Sequence, residues 1–170
     1  MIRNACADDA TALAAIYNHY ILHSPATFEE EVLTADQLCE RVEAVQAMGL
    51  PWLVALDGAQ VVGYAYASRW RERSAFRFSV ESTVYLAPHR SGEGWGSRLY
   101  AALFARLREG DVHAVMAGIT LPNAASVSLH EKAGMHKVAH FEEVGYKMGQ
   151  WLDVGYWQIK FDRRRDSDAG

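Results

Sequence analysis

Two side chains that can exchange protons occupy positions that need an explanation. Glu81 lies in the β-rich run Val80-Glu81-Ser82-Thr83-Val84, although acidic side chains are depleted inside strands. His130 lies in a helix-like stretch, and the near-neutral pKa of histidine suits proton transfer to or from an amine or a thiolate. Taken alone, Glu81 could equally face solvent or pair with a cation. A lone helical histidine is more often a surface residue or a hydrogen-bonded core residue.

A glycine-rich segment follows the strand predicted to carry Glu81. It reads Ser91-Gly92-Glu93-Gly94-Trp95-Gly96-Ser97 and leads into a predicted helix. Such a turn directs backbone N–H groups and the positive end of a helix dipole toward one point, which suits a phosphate or pyrophosphate. No Lys-Ser or Lys-Thr follows the glycines, and the preceding strands are predicted to form hairpins. Neither a P-loop nor a dinucleotide fingerprint is therefore indicated, and an ordinary turn is the alternative.

Basic and aromatic side chains flank these motifs. Arg71 and Arg73 lie in the loop before the Glu81 strand, and arginine can bind a carboxylate or phosphinate with two parallel hydrogen bonds. Phe28 and Phe76 are candidates for an apolar wall of the same substrate site. Solvated loop charges and ordinary core aromatics are the alternatives.

The pattern of apolar residues predicts the elements that must hold these motifs. Asp8 is predicted to cap a first helix that reaches Ile21, and Thr34 with Gln37 forms a capping box for a second helix that ends near Met48. Two more helices are predicted over 99–107 and 123–132, and strands over 2–5, 52–56, 61–67, 76–86, 112–119, 135–141 and 154–161. We predict an α/β (α+β) fold with a mixed, mostly antiparallel central sheet and helices on both faces. One domain, residues 1–162, is followed by a polar tail, residues 163–170.

The composition argues against several classes of function. The 170 residues suffice for one domain, half of them are hydrophobic, and the net charge is −4. The only concentrated basic run, 163–165, lies among acids, so we expect no nucleic-acid partner. No window approaches the roughly 18 uncharged apolar residues of a membrane span, so we expect no membrane partner. Cys6 and Cys39 have no metal-ligand spacing, so we expect no metal and a cytoplasmic location.

A second motif places the glycine-rich segment in a family context. Residues 123–135 read Asn-Ala-Ala-Ser-Val-Ser-Leu-His-Glu-Lys-Ala-Gly-Met. A Gly-rich loop after a long strand, then a strand and an Asn-x-x-Ser-x-x-Leu helix, resembles the GNAT N-acetyltransferase superfamily. Other segments are similar to phosphinothricin and methionine sulfoximine N-acetyltransferases, among them Asn18-His19-Tyr20, Ala26-Thr27-Phe28, Gly145-Tyr146-Lys147 and Asp153-Val154-Gly155-Tyr156-Trp157-Gln158.

The resemblance implies acetyl-CoA as the donor, a homodimer, and Glu81 with His130 as the catalytic pair. The acetyl-CoA-binding residues that it implies are Val84, Tyr85, Leu86, Ser91, Gly92, Glu93, Gly94, Trp95, Gly96, Ser97 and Asn123. The family's substrate loop is also basic at the positions of Arg71 and Arg73. The loop departs from the usual Gln/Arg-x-x-Gly-x-Gly/Ala pattern at Ser91 and Glu93, and an acid beside a pyrophosphate is unfavourable unless its side chain turns away.

We therefore expect an acetyl-CoA-dependent N-acetyltransferase that modifies the α-amino group of a small amino-acid-like substrate by direct attack. Phosphinothricin, methionine sulfoximine and methionine sulfone are the expected substrate type, and herbicide or antibiotic resistance would follow as a by-product. The alternatives are a peptide N-terminal or polyamine acetyltransferase, and a non-catalytic acetyl-CoA-binding module. Arg71 and Arg73 argue against a polyamine site, whereas the unusual loop motivates the module.

Overall fold

Helices and strands alternate along residues 1–162, the part of the chain that this computed structural model describes. The predicted tail, residues 163–170, lies outside the described residues. The strands are β1 (Ile2–Asn4), β2 (Trp52–Asp57), β3 (Gln60–Arg69), β4 (Ser79–Leu86), β5 (Ala114–Leu121), β6 (His136–Lys147) and β7 (Gln150–Lys160). The helices are α1 (Ala10–His23), α2 (Ala35–Ala47), α3 (Trp95–Glu109) and α4 (Ala124–Lys132), with short 3-10 turns at Ala7–Asp9 and Ser74–Phe76.

The strands form one seven-stranded sheet in the order β1-β2-β3-β4-β5-β7-β6. All neighbours are antiparallel except β4 and β5, which run parallel. The β4–β5 pairing covers only Ser79–Glu81 and Ala114–Met116, whereas β3 pairs with β4 as far as Leu86. Beyond Glu81 the two central strands part, and the sheet opens at its centre.

Helices cover both faces of the sheet, as the sequence predicted. On one face, α1 and α2 pack apolar side chains such as Leu13 and Val42 against Val54 and Tyr64. On the other, α3 packs Leu99 and Leu103 against Leu53 and other strand residues, and α4 adds Leu129. Successive residues of one strand, such as Leu53 and Val54, enter opposite cores, as strand geometry requires.

Several predicted boundaries were wrong. Asp8 does not cap α1; its neighbour Asp9 closes the 3-10 turn by accepting from the Cys6 amide at 2.9 Å and binding Arg3. The Glu81 strand begins at Ser79, because Ser74–Phe76 forms a 3-10 turn. The last two strands are longer than predicted and form one hairpin, in which Met148 and Gly149 turn with positive φ.

Candidate active site

A cavity of about 660 Å³ lies where β4 and β5 part. Residues from β4, β5, α1, the α1–α2 loop, the glycine-rich segment, α3 and α4 line it. Both Glu81 and His130 are among the lining residues, and so are Val84, Tyr85 and Leu86 of β4. The parting of the central strands therefore brings the two predicted acid–base residues into one space.

The cavity has two sides, because alternate β4 residues point to opposite faces of the sheet. Tyr85 packs with the α1–α2 core, and Glu81 lies at the same alternation, so its side chain faces that side. Val84 and Leu86 pack with the α3 core, and the buried Ser82 shares their face. The glycine-rich segment and α4 line the cavity on the α3 side.

Glu81 lies partly buried on the α1–α2 side, beside Gly118 of β5. Burial raises the pKa of this carboxyl above its ordinary value of 4.5, whereas the Arg71 guanidinium and the Gly118 amide act to lower it. A raised pKa favours proton acceptance at near-neutral pH, because the carboxylate becomes a stronger base while it remains ionised. The environment of Glu81 therefore suits a general base.

His130 lies on the α3 side and is 4% exposed. Its Nδ1 lies 2.6 Å from the Ser126 carbonyl, so it carries the proton, and its Nε2 accepts from the Tyr100 hydroxyl at 2.7 Å. Burial lowers the pKa of His130 below 6.5 and so favours the neutral imidazole, whereas the hydrogen bond to the Ser126 carbonyl acts to raise the pKa. The Tyr100 hydroxyl also lies 3.4 Å from Ser82 Oγ. Both imidazole nitrogens are therefore engaged, and Tyr100 lies between His130 and Ser82.

The glycine-rich segment presents its backbone to the cavity. Gly92 and Gly94 have φ of 84° and 81°, which L side chains rarely adopt, and Gly94 is the N-cap of α3. Ser91, Gly92, Gly94, Gly96 and Ser97, which the sequence analysis proposed for acetyl-CoA binding, line the cavity together with Asn123. Asn123 caps α4 by accepting from the Ser126 amide at 3.1 Å. Two helix N-termini, those of α3 and α4, therefore border the same space.

Glu93 and Trp95 do not line the cavity, although the sequence placed them in the acetyl-CoA site. Glu93 accepts hydrogen bonds from Arg90 Nε at 2.9 Å and from Trp95 Nε1 at 3.1 Å, and Arg90 also binds Asp57 at 2.7 Å. The acidic side chain is held by these partners, and Trp95 itself is buried in the α3 core. The unusual acid of this loop thus has a structural role outside the cavity.

The four predicted substrate residues lie outside the cavity lining. Arg71 is exposed, its charge acts to lower the pKa of Glu81, and its guanidinium lies 5.1 Å from the centre of the Trp70 ring. Phe28 packs against Gly145, where a Cβ atom would be within 2.3 Å of the ring. Arg73 and Phe76 are exposed in the turn before β4. Of the four, Arg71 is therefore the one whose charge acts on Glu81.

Sequence reasoning missed Tyr100, Gly118 and Thr27, which also line the cavity. Tyr100 matched the apolar period of α3, and only its hydroxyl, on a fully buried ring, distinguishes it from an ordinary core residue. Gly118 is the one glycine of β5, and an isolated glycine in a strand often marks a close approach. Among residues 1–162, no cluster of three or more His, Cys, Asp or Glu side chains could hold a metal ion.

Comparisons with known proteins agree with this geometry. Residues 2–155 match the acetyltransferase (GNAT) domain family. The chain is 37% identical over 168 residues to the L-methionine sulfoximine/L-methionine sulfone acetyltransferase of Salmonella typhimurium, covering 99% of this chain and 98% of that protein. It is 40% identical over 161 residues to a phosphinothricin N-acetyltransferase of Streptomyces viridochromogenes, covering 95% and 87%.

A solved structure shares the whole architecture. The acetyltransferase from Salmonella typhimurium with its cofactor acetyl-CoA superposes with a TM-score of 0.94 at 36% identity, covering 100% of this chain and 98% of that one. The opened sheet and its flanking helices are thus shared by a protein that binds acetyl-CoA.

Proposed function

We propose a specific reaction for this chain, which belongs to the GNAT acetyltransferase family and is an acetyltransferase. It transfers the acetyl group of acetyl-CoA to the α-amino group of a small amino-acid-like acceptor of the phosphinothricin, methionine sulfoximine or methionine sulfone type. The relatives that carry these substrates in their names support the acceptor class. The two-sided cavity between β4 and β5 is the observation that carries the proposal.

The α3 side of the cavity fits acetyl-CoA. Left-handed Gly92 and Gly94 at the start of α3 leave open space where side chains would stand, so backbone amides can approach a pyrophosphate. Asn123 lies at the start of α4. Beyond Glu81, the edge of β4 that faces β5 has no strand partner among the described residues. This free backbone edge can pair with an amide of the pantetheine arm. Acetyl-CoA supplies the activated acetyl group and a thiol leaving group.

Glu81 is proposed to receive the ammonium proton of the acceptor, directly or through one water. Only the free amine can attack an acyl carbon, and the side of the cavity that holds Glu81 lies opposite the glycine-rich segment. The raised pKa of Glu81 and its negative charge support both proton acceptance and attraction of the ammonium. No Ser or Cys nucleophile is needed for direct attack.

Tyr100 and His130 are proposed to act together at the departing sulfur. Because His130 Nδ1 is bound to the Ser126 carbonyl and Nε2 to Tyr100, the Tyr100 hydroxyl is the group that can turn toward the cavity and donate. The hydroxyl has one proton, so His130 positions it through Nε2 before acetyl transfer, and the hydroxyl leaves Nε2 when it donates to the departing thiolate. Replacing Tyr100 with Phe should lower kcat and leave the KM for acetyl-CoA nearly unchanged, and an unchanged kcat would exclude this role.

The remaining sequence predictions stay proposals. We propose a homodimer, supported by large apolar side chains exposed along β6 and β7. A cytoplasmic setting is consistent with Cys6 and Cys39, which are both free. Within residues 1–162, no helix is long and apolar enough to cross a bilayer. The expected lack of nucleic-acid, membrane and metal partners is still a prediction.

The deciding experiment measures thiol release from acetyl-CoA with purified protein and a panel of acceptors. The panel holds L-phosphinothricin, L-methionine sulfoximine, L-methionine sulfone, glutamate, spermidine and a short peptide. Release with one or more of the first three compounds, and little with spermidine or peptide, is the expected result. Release only with spermidine or peptide would keep the transferase chemistry but overturn the acceptor class. Bound acetyl-CoA without release across the panel would favour the non-catalytic module.

A further inference from the structure

The surroundings of Gly118 include polar groups to which the proposed mechanism assigns no role. Gly118 is exposed in the middle of β5, although its strand neighbours Ala117 and Ile119 are buried. A Cβ atom at Gly118 would lie 3.3 Å from Glu81 Oε1 and 3.3 Å from the Cε1 and Cζ atoms of Tyr156. The glycine therefore leaves a recess between the reactive carboxylate and the hydroxyl-bearing end of this tyrosine.

Tyr156 is held in place by its ring rather than by its hydroxyl. It lies opposite Gly118 in the β5–β7 register, with Trp70 edge-on at 5.2 Å and Phe141 at 6.0 Å between ring centres. Among residues 1–162, no hydrogen bond reaches the Tyr156 hydroxyl. Burial, with the nearby charge of Glu81, raises the pKa of Tyr156, so the group remains a hydrogen-bond donor at neutral pH.

A cation in the loop before β4 acts on this hydroxyl. The charge of Arg71 acts on both Tyr156 and Glu81. The guanidinium lies over the Trp70 ring and forms neither a hydrogen bond nor an ion pair with the described residues. A carboxylate and a neutral hydroxyl thus border one recess, and the charge of an exposed cation acts on both. Within residues 1–162, neither the hydroxyl nor the cation has a protein partner for its donors.

We propose that Tyr156 is an acceptor-binding residue whose hydroxyl, together with Arg71, binds the α-carboxylate of an amino acid whose ammonium lies against Glu81. The inference rests on the proposed function and deepens it. In an α-amino acid one carbon separates the two charged groups, and the recess over Gly118 provides room for that carbon. A polyamine has no carboxylate, so its binding leaves both donors unpaired.

The test compares two acceptors in the Tyr156→Phe variant. One is L-methionine sulfone, and the other is the amine that results when its carboxylate is removed. Loss of a hydrogen bond to a charged group should raise the KM for L-methionine sulfone about tenfold. The KM for the amine and the KM for acetyl-CoA should not change. Tyr146→Phe is the matched control, because it removes a tyrosine hydroxyl outside the recess and keeps the apolar ring, which is 58% exposed on the same hairpin.

A second variant tests the recess itself. Gly118→Ala adds a Cβ atom against Glu81 and Tyr156, so we expect a higher KM for L-methionine sulfone with an unchanged KM for acetyl-CoA. An equal loss with both acceptors in Tyr156→Phe, or no loss, would overturn the carboxylate-binding role while leaving the proposed function intact. If the wild-type protein acetylates no amino acid of the panel, the proposed function fails, and this inference fails with it.

Discussion

Glu81 is a residue whose charge the fold makes costly. It lies on a central strand, partly buried, with its pKa raised by burial. Its strand neighbours on either side, Val80 and Ser82, are buried in the opposite core. Carboxylates with raised pKa values cluster at functional sites, and this supports the proposal that Glu81 receives the proton of the acceptor.

Replacing Glu81 with Gln should remove the proposed base and leave the shape of the side chain almost unchanged. Acid–base groups contribute about a hundredfold or more to rate, so kcat should fall by about that factor. In the wild-type enzyme kcat/KM should decrease as the pH falls through the pKa of Glu81, which lies above 4.5. The variant should lack this acidic limb. Steady-state rates between acidic and neutral pH measure both effects, with Glu142→Gln on exposed β6 as the control.

The same variant should be more stable than wild type at neutral pH. Because the pKa of Glu81 is higher in the folded than in the unfolded chain, the folded state binds more protons between the two values. Stability therefore falls as pH rises through that window, and glutamine avoids the loss. The thermal midpoint of the variant should be the higher one at neutral pH, and the two midpoints should converge below about pH 4, where Glu81 is protonated in both states. A less stable variant at neutral pH would contradict this account of Glu81.

At the residue scale, the sequence identified Glu81 and His130 but not what surrounds them. A carboxylate inside a strand and a histidine in a family motif are visible locally, and both side chains do line the cavity. Tyr100 and Tyr156 carry no local signal, because a tyrosine in an apolar pattern predicts core. The Tyr100 hydroxyl acquires its partner only after α3 packs on the sheet, and Tyr156 borders its recess only after β7 pairs with β5.

At the element scale, the loop between α1 and α2 brings together three of the family-like segments, 18–20, 26–28 and 145–147, to which the sequence analysis assigned no role apart from that of Phe28. Asn18 donates to and accepts from the Leu33 backbone at 2.8 and 2.9 Å, and the Tyr17 hydroxyl binds Thr27 Oγ1 at 2.8 Å. Lys147, at the end of β6, donates to the carbonyls of Ser24 and Thr27 at 2.8 and 2.7 Å. The loop contributes Ala26 and Thr27 to the cavity, so residues far apart in sequence hold one of its walls.

Lys147→Met should loosen this wall. Lys147 is 4% exposed, and methionine keeps its length while leaving two carbonyls without their donor. Each unsatisfied buried group costs about 1–3 kcal/mol, so the free energy of unfolding should drop by about 2 kcal/mol or more. The KM for the acceptor should rise, whereas the KM for acetyl-CoA should not.

Chemical denaturation and steady-state kinetics measure the two effects of the Lys147 variant. Lys160→Met, at the exposed end of β7, provides the control. Unchanged acceptor KM in a destabilised Lys147→Met protein would limit Lys147 to a role in folding.

The ends of helices and strands were predicted correctly where a local sequence signal marks them, and were misplaced where no such signal exists. The Thr34 capping box forms with Gln37 as predicted, because both partners lie within one turn. The two strands of the β6–β7 hairpin were predicted too short, because part of the hairpin is exposed. Glu142, Glu143 and Val144 are exposed, and the pairing register shifts between Phe141 and Gly145. A strand at the edge of a sheet has little alternation for periodicity to detect.

At the scale of the whole molecule, composition predicts one globular domain, and the order of elements predicts a mixed sheet with helices on both faces. Neither predicts that β4 and β5 pair over three residues and then part. The candidate site depends on that opening, because the cavity lies where the two strands part.

The edge of the sheet formed by β6 bears on how the chain assembles. β6 is an edge strand, and the hairpin that it forms with β7 exposes Val138, Phe141, Val144, Tyr146, Met148 and Trp151, each by more than 40%. Monomeric proteins rarely expose such an apolar surface, and an unpaired edge strand invites association. A second copy of the chain is therefore the proposed partner of this face.

Light scattering after size exclusion should give twice the chain mass of 19.0 kDa for the wild-type protein. Trp151→Glu places a charge in the proposed interface, where an unpaired buried charge is costly, so the mass should fall toward that of one chain. Leu22→Glu alters a side chain of similar exposure, 55% against 61%, on α1 and should leave the mass unchanged. A wild-type mass of one chain would refute the dimer. An unaltered dimer in Trp151→Glu would move the interface away from the β6–β7 hairpin.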